Sequence, residues 1–219
     1  LETPVSAFMK LKDQDYSYLL ESVEQGQKIG RYSFIGVDYH ALISCKHEQL
    51  RVMDASGEII ETRQTGDPLA DLQQMLASYQ PVSIDGLPMF HGGAVGYLGY
   101  DAIQYFEPVP QTNPDDLELP EMLFVISDTI LVFDHLRHNI KVVTNVKVGE
   151  NPAEDYQQAQ EKIEQVIERL DKPLTEEDKP AAGPTELTYT SNMTLDEFTN
   201  SVEQDKKYIT QGDIFQTVL

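Results

Sequence analysis

Glu21 and Ser22 close the segment Tyr16-Ser-Tyr-Leu-Leu-Glu-Ser22, whose aromatic and aliphatic residues suit a β-strand, and Arg31 follows a loop bracketed by Gly26 and Gly30. With Leu20 beside them, these residues offer what a free amino acid needs. A carboxylate takes its ammonium, hydroxyl and guanidinium donors take its carboxylate, and apolar walls take its side chain. The same residues equally suit a strand end whose polar groups face water, and spacing alone leaves both readings open.

Other candidates are weaker. Cys45 lies in an apolar segment that disfavours a thiolate, so it reads as a core residue, and no Gly-x-Ser-x-Gly nucleophile motif occurs. Of five histidines, His135 and His138 are the closest pair. They lack the His-Glu-x-x-His spacing and nearby cysteines, and they read as exposed turn residues, not zinc ligands. Gly92, Gly93, Gly96 and Gly99 sit among bulky apolar residues in Pro88–Asp101, a pattern that invites a phosphate loop. No phosphate-loop spacing is present, however, and no lysine or arginine lies between Gly86 and Asp101. The run predicts a central strand or strand-to-helix turn with another backbone close by.

The whole chain sets bounds on these residues. Its 219 residues carry 37 acidic against 16 basic side chains, a formal charge of −21 that repels nucleic acid and anionic membrane surfaces alike. One cysteine cannot form an internal disulfide. No basic segment leads into an apolar one at the N-terminus, and no apolar run nears the ~20 residues of a membrane span. A cytoplasmic protein with no membrane or nucleic-acid partner is expected.

Short strands are predicted at Arg31–Val37, His40–Cys45, Gln49–Met53 and Glu58–Glu61, with a hairpin turn at Asp54-Ala-Ser-Gly57. Asp67 and Pro68 start a helix over 67–79 whose stripe is Leu69, Leu72, Met75, Leu76 and Tyr79. Met122–Ile126 and Thr129–Asp134 read as central strands, and Asn139–Val146 alternates as a half-exposed one. Asn151-Pro-Ala-Glu154 resembles a capping box for a helix over 153–171. Prolines and acids mark 172–192 as a linker. Thr194-Leu-Asp-Glu197 then opens a helix with Leu195, Phe198, Val202 and Ile209 inward, ending near Gly212. The apolar residues after Gly212 read as a strand beginning, which makes the chain look like a piece of something longer. The fold class is therefore α+β: antiparallel sheet layers, packed face to face as a β-sandwich, flanked by helices.

Three runs occur in an order and spacing that resemble anthranilate synthase component I, a chorismate-utilising enzyme family. They are Leu19–Gly26 followed by Gly30–Gly36, Gly92–Asp101, and Tyr208–Leu219. Asp128-Thr129 and Val132–His135 are similar to the same family's N-terminal domain. The resemblance implies that residues 1–171 form the regulatory N-terminal domain, 172–192 a linker, and 193–219 the start of a chorismate-utilising domain. It implies a complete enzyme that makes anthranilate and pyruvate from chorismate and from ammonia delivered by a glutamine amidotransferase subunit, in tryptophan biosynthesis. Catalytic groups and Mg²⁺-binding carboxylates would lie beyond Leu219, leaving this piece inactive alone. Leu20, Glu21 and Ser22, with Arg31 a less direct match, would line a feedback site for L-tryptophan. Component I of aminodeoxychorismate synthase, which leads to p-aminobenzoate, shares much of this pattern. A non-catalytic β-rich ligand-binding module is the alternative from another class. Homo-oligomerisation is left open.

Overall fold

The computed structural model describes residues 2–12, 16–22, 30–82, 84–110, 112, 114–175, 183, 186 and 188–219. It divides into two compact units, Leu1–Lys179 and Pro180–Leu219.

Strands β1 (Tyr18–Glu21) and β2 (Tyr32–Lys46) begin the sheet of the first unit, followed by β3 (Gln49–Asp54), β4 (Ile59–Gln64), β5 (Gly93–Leu98), β6 (Met122–Asp134) and β7 (Asn139–Thr144). β2 and β6 pair antiparallel from Tyr32 opposite Asp134 to Cys45 opposite Met122. The sequence predicts two short strands in place of each. They are continuous because register shifts between Gly36 and Ala41 take up the irregularity as bulges, which twist a strand without ending its pairing.

At one end of this ribbon β1 joins β2 and β7 joins β6; at the other, β3 joins β2, β4 joins β3, and β5 joins β6. All seven strands belong to one curled antiparallel sheet with a half on either side of the bulges. The separate layers of the expected sandwich are thus halves of one sheet, since its two longest strands run through both.

Helices cover the halves separately. α1 (Pro4–Leu11) and α3 (Pro152–Asp171) pack on the β1–β7 half, where Ala7, Leu11, Ile35, Val37, Leu131, Phe133 and Val166 form one core. α1 is not predicted from the sequence, although Thr3 and Ser6 form a capping box and Pro4 sits in its first turn. α2 (Pro68–Ala77) supplies Leu72 to the core of the other half, against Ile43, Cys45, Leu50 and Met122. Each fully buried aliphatic side chain there contributes about 1.5–3 kcal/mol. Cys45 is the expected core residue, and burial pushes its thiol up.

The glycine run forms β5, at the sheet's margin and not its centre. The expected close backbone is present: a Cβ on Gly96 would lie 1.9 Å from the Leu123 carbonyl oxygen. A 3₁₀ helix, Tyr100–Tyr105, follows.

In the second unit α4 (Leu195–Gln211) has the predicted Thr194/Glu197 capping box and ends at Gly212. Its stripe is not inward: Leu195, Phe198 and Ile209 are exposed, and α4 is the one helix or strand among the described residues of that unit. Residues 213–219 form no strand. Asn151 makes no side-chain cap on α3; Asp155 instead accepts the Gly149 N–H at 2.7 Å.

Candidate functional site

Antiparallel pairing sets Glu21 opposite Ser33 and Leu20 opposite Phe34 at the margin of the sheet. Strand alternation then puts Leu20 and Glu21 on opposite faces, both exposed. Ser22 closes against Gly30, where a Cβ would lie 2.2 Å from the Ser22 carbonyl oxygen and 2.5 Å from Oγ. Only glycine admits this approach. Residues 23–29 of the connecting loop lie outside the described residues.

Arg31 stands next to this contact, but Asp134 orients it. Its Nη2 donates to Oδ2 at 3.0 Å and its Nε to Oδ1 at 3.3 Å, a two-point pairing that fixes the guanidinium plane. The Asp134 carboxyl also accepts the Arg137 N–H at 3.2 Å. The Arg31 guanidinium holds this carboxyl below the usual carboxylate range, and Asp134 in turn pushes Arg31 up. Ser33 Oγ lies 2.8 Å from His135 Nε2, while the His135 N–H donates to the Arg31 carbonyl at 2.8 Å.

The structure thus gathers Glu21, Ser22 and Arg31 at one sheet end and leaves Leu20 on the other face of its strand. It adds Ser33, Asp134 and His135, which sequence reasoning did not select for the site. The Arg31–Asp134 bond spans 103 positions, a separation at which no local pattern exists to find it. His135 is not the expected exposed turn residue, because Ser33 and the stacked Phe133 ring engage it.

A second polar chain marks the bulges. His40 Nδ1 lies 2.5 Å from Asp128 Oδ1, and its Nε2 lies 2.6 Å from Tyr79 Oη. Burial and the Asp128 charge push the Tyr79 hydroxyl up, so it remains a protonated donor and a poor nucleophile. The chain ties the end of α2 to both long strands. Among the described residues no group of three or more His, Cys, Asp or Glu is placed to hold a metal ion. No described helix is long and apolar enough to cross a membrane.

A family model described as "chorismate binding enzyme" matches residues 15–219, most of both units. The chain belongs to the chorismate binding enzyme family. Anthranilate synthase component 1 of Pseudomonas aeruginosa is 38% identical over 99% of this chain and 44% of its own length. That of Acetivibrio thermocellus is 34% identical over 100% of this chain and 45% of its own. The crystal structure of anthranilate synthase component I from Streptococcus pneumoniae TIGR4 aligns with a TM-score of 0.61 and 25% identity, over 97% of this chain and 44% of that one. The chain therefore spans less than half the length of these relatives. Within this chorismate binding enzyme, the glycine run that carried part of the resemblance is β5 with the start of the 3₁₀ helix, and Tyr208–Leu219 is the last turn of α4 together with the C-terminal residues.

Proposed function

We propose that the protein to which this chain belongs is an anthranilate synthase component I, and that the β1–β7 half of the sheet contributes to an inhibitory L-tryptophan site. The full enzyme would convert chorismate and ammonia to anthranilate and pyruvate in the cytoplasm, with a glutamine amidotransferase subunit supplying the ammonia. Its catalytic groups and Mg²⁺ would lie outside this chain. The names of the relatives favour this product over aminodeoxychorismate.

The observation that carries the tryptophan reading is the sheet end where Glu21 and Ser22 stand exposed beside an oriented Arg31. Glu21 suits an α-ammonium, and the Ser22 hydroxyl suits an α-carboxylate. Asp134 takes two of the five guanidinium N–H groups of Arg31, which leaves donors for a ligand. Leu20 lies on the opposite face of β1 from Glu21, so the apolar wall for an indole is assigned to other parts of the enzyme. Feedback then results if tryptophan binds one state of the enzyme better than another, by no more than that difference in affinity.

Calorimetric titration of the chain with L-tryptophan tests this, with Ser22→Phe and L-phenylalanine as controls. Saturable binding that Ser22→Phe abolishes and L-phenylalanine does not reproduce is the expected result. Equal binding by the variant, or none by the parent chain, would overturn the assignment. The chain has no tryptophan of its own, so ligand fluorescence can be followed in parallel.

A further inference from the structure

β1 carries Glu21 and is followed at once by Ser22, yet it is four residues long and, among the described residues, pairs with β2 alone. So short a ladder fixes its own register weakly. Alternation sends Leu19 to the core that holds Ile35 and Leu131, and Glu21 shares that face; Tyr18 and Leu20 take the other. Leu19 thereby opposes a slip of one residue, which would turn it out of the core and carry Glu21 to the wrong face. A slip of two residues leaves every side chain on its own face. Tyr16-Ser-Tyr18 invites one, because it repeats an aromatic at that spacing.

Tyr18 has a seat that opposes this slip. Opposite it stands Gly36, and the ring lies on the bare backbone there: a Cβ at Gly36 would sit 2.2 Å from Tyr18 Cε1. A strand glycine leaves a gap that an aromatic side chain from the neighbouring strand can fill. Tyr18 Oη lies 2.8 Å from Oγ of Ser127, a buried residue of β6. Burial pushes this hydroxyl up, so it stays protonated within the pair. Tyr16 is engaged elsewhere, edge-on to Tyr39 with ring centroids 6.2 Å apart. Tyr39 and Ser127 are partners in the irregular stretch of the β2–β6 ladder, so both tyrosines tie the start of β1 to the bulges.

We propose that Tyr18, seated on Gly36 and Ser127, is the positioning residue that sets the register of β1 and thereby places Glu21 and Ser22 at the ligand corner. Its bearing on a ligand rests on the tryptophan reading given above. With Tyr16 over Gly36 in place of Tyr18, Leu19 would stand opposite Ser33 instead of Ile35. Glu21 would move by two residues, about 7 Å along the strand, from its place opposite Ser33 to the level of Arg31.

Cross-strand proton contacts, measured by NMR on the 219-residue chain, read the register, and calorimetric titration with L-tryptophan reads the corner. The parent is compared with Tyr18→Phe, which keeps the ring and loses the hydroxyl, and with Tyr18→Ala, which loses both. Ile43→Ala, which empties a buried site in the other core, controls for lost stability. Backbone protons of Leu19 should contact those of Ile35 in the parent, and in Tyr18→Ala this contact should give way to one with Ser33. Tryptophan affinity should fall about 3-fold in Tyr18→Phe, the scale of one hydrogen bond, and about 10-fold or more in Tyr18→Ala, as the competent register is depopulated. Ile43→Ala should bind as the parent does. Equal weakening by Ile43→Ala would overturn the proposal, because affinity would then merely follow stability. The parent's register and affinity in Tyr18→Ala would also overturn it, while leaving the tryptophan reading in place. No binding by the parent chain would overturn that reading, and with it the role of Tyr18 in the corner; an unchanged Leu19–Ile35 contact in Tyr18→Ala would then overturn the register assignment as well.

Discussion

β6 is bracketed by two buried carboxylates, Glu121 just before it and Asp134 at its end, and the sheet treats them differently. Asp134 faces an arginine that reaches solvent, so the β1–β7 half ends in a charged corner open to water. Glu121 faces inward, accepting the Tyr105 hydroxyl at 2.7 Å and the His47 N–H at 2.9 Å. Tyr105 also accepts the Glu48 N–H at 3.1 Å, and burial, with Cys45 and Glu121 beside it, keeps its hydroxyl protonated. This network clamps the β2–β3 turn, whose His47 and Glu48 hold φ of 49° and 61° without glycine, at about 1–2 kcal/mol each. One strand thus ends in an ion pair that reaches solvent and begins in a hydrogen-bonded joint. The difference lies in the partners: Asp134 is held by one arginine at two points, whereas Glu121 gathers the Tyr105 hydroxyl, the His47 N–H and the His47 ring at 3.3 Å.

Substitutions in β2 test how separable the halves are. Ile35 and Ile43 are both fully buried, but in different cores. Each Ile→Ala change should destabilise the chain by about 2–5 kcal/mol in urea denaturation. Only Ile35→Ala should also weaken tryptophan binding; equal weakening by Ile43→Ala would show that the halves respond as one body. Gly96→Ala probes the Ile43 half directly. Its new Cβ would meet the Leu123 backbone, which cannot rotate aside, and a loss of about 2–4 kcal/mol is expected. A melting temperature equal to the parent's would show that β5 can shift freely.

The charged corner predicts a pH signature. Asp134 has a folded-state pKa below its unfolded value, near 3.9, so its stabilising contribution is present above about pH 4. It is lost as pH falls through the folded value. Asp134→Asn should therefore differ most in stability from the parent at neutral pH, with the gap closing in acid. A gap constant from neutral pH to about pH 3 in acid titrations read by circular dichroism would mean that the Arg31 pairing does not govern this carboxyl.

The sequence is informative where the physics is local. The α2 cap and stripe, the Thr194 box, the buried Cys45 and the close approach at Gly96 all rest on nearest neighbours or on one period. The Arg31–Asp134 pairing and the fusion of short strands into β2 and β6 depend on partners far along the chain, so no local signal announces them.

The smallest effect separates the helices that cover the two halves. Asp67 caps α2, its Oδ1 accepting the Ala70 N–H at 3.0 Å, whereas Asn151 stands at the same position of α3 with no such bond. Asp67→Ala should cost about 1 kcal/mol, because it leaves a first-turn N–H without its acceptor. Asn151→Ala should cost no more than a few tenths, within the usual range of surface substitutions of about 0.5 kcal/mol. The entry to α3 depends instead on Asp155, whose carboxylate takes the Gly149 N–H, so Asp155→Ala should exceed Asn151→Ala in a urea-denaturation series. If Asn151→Ala matches Asp67→Ala, side-chain capping guards both helices alike, and this difference between the halves disappears.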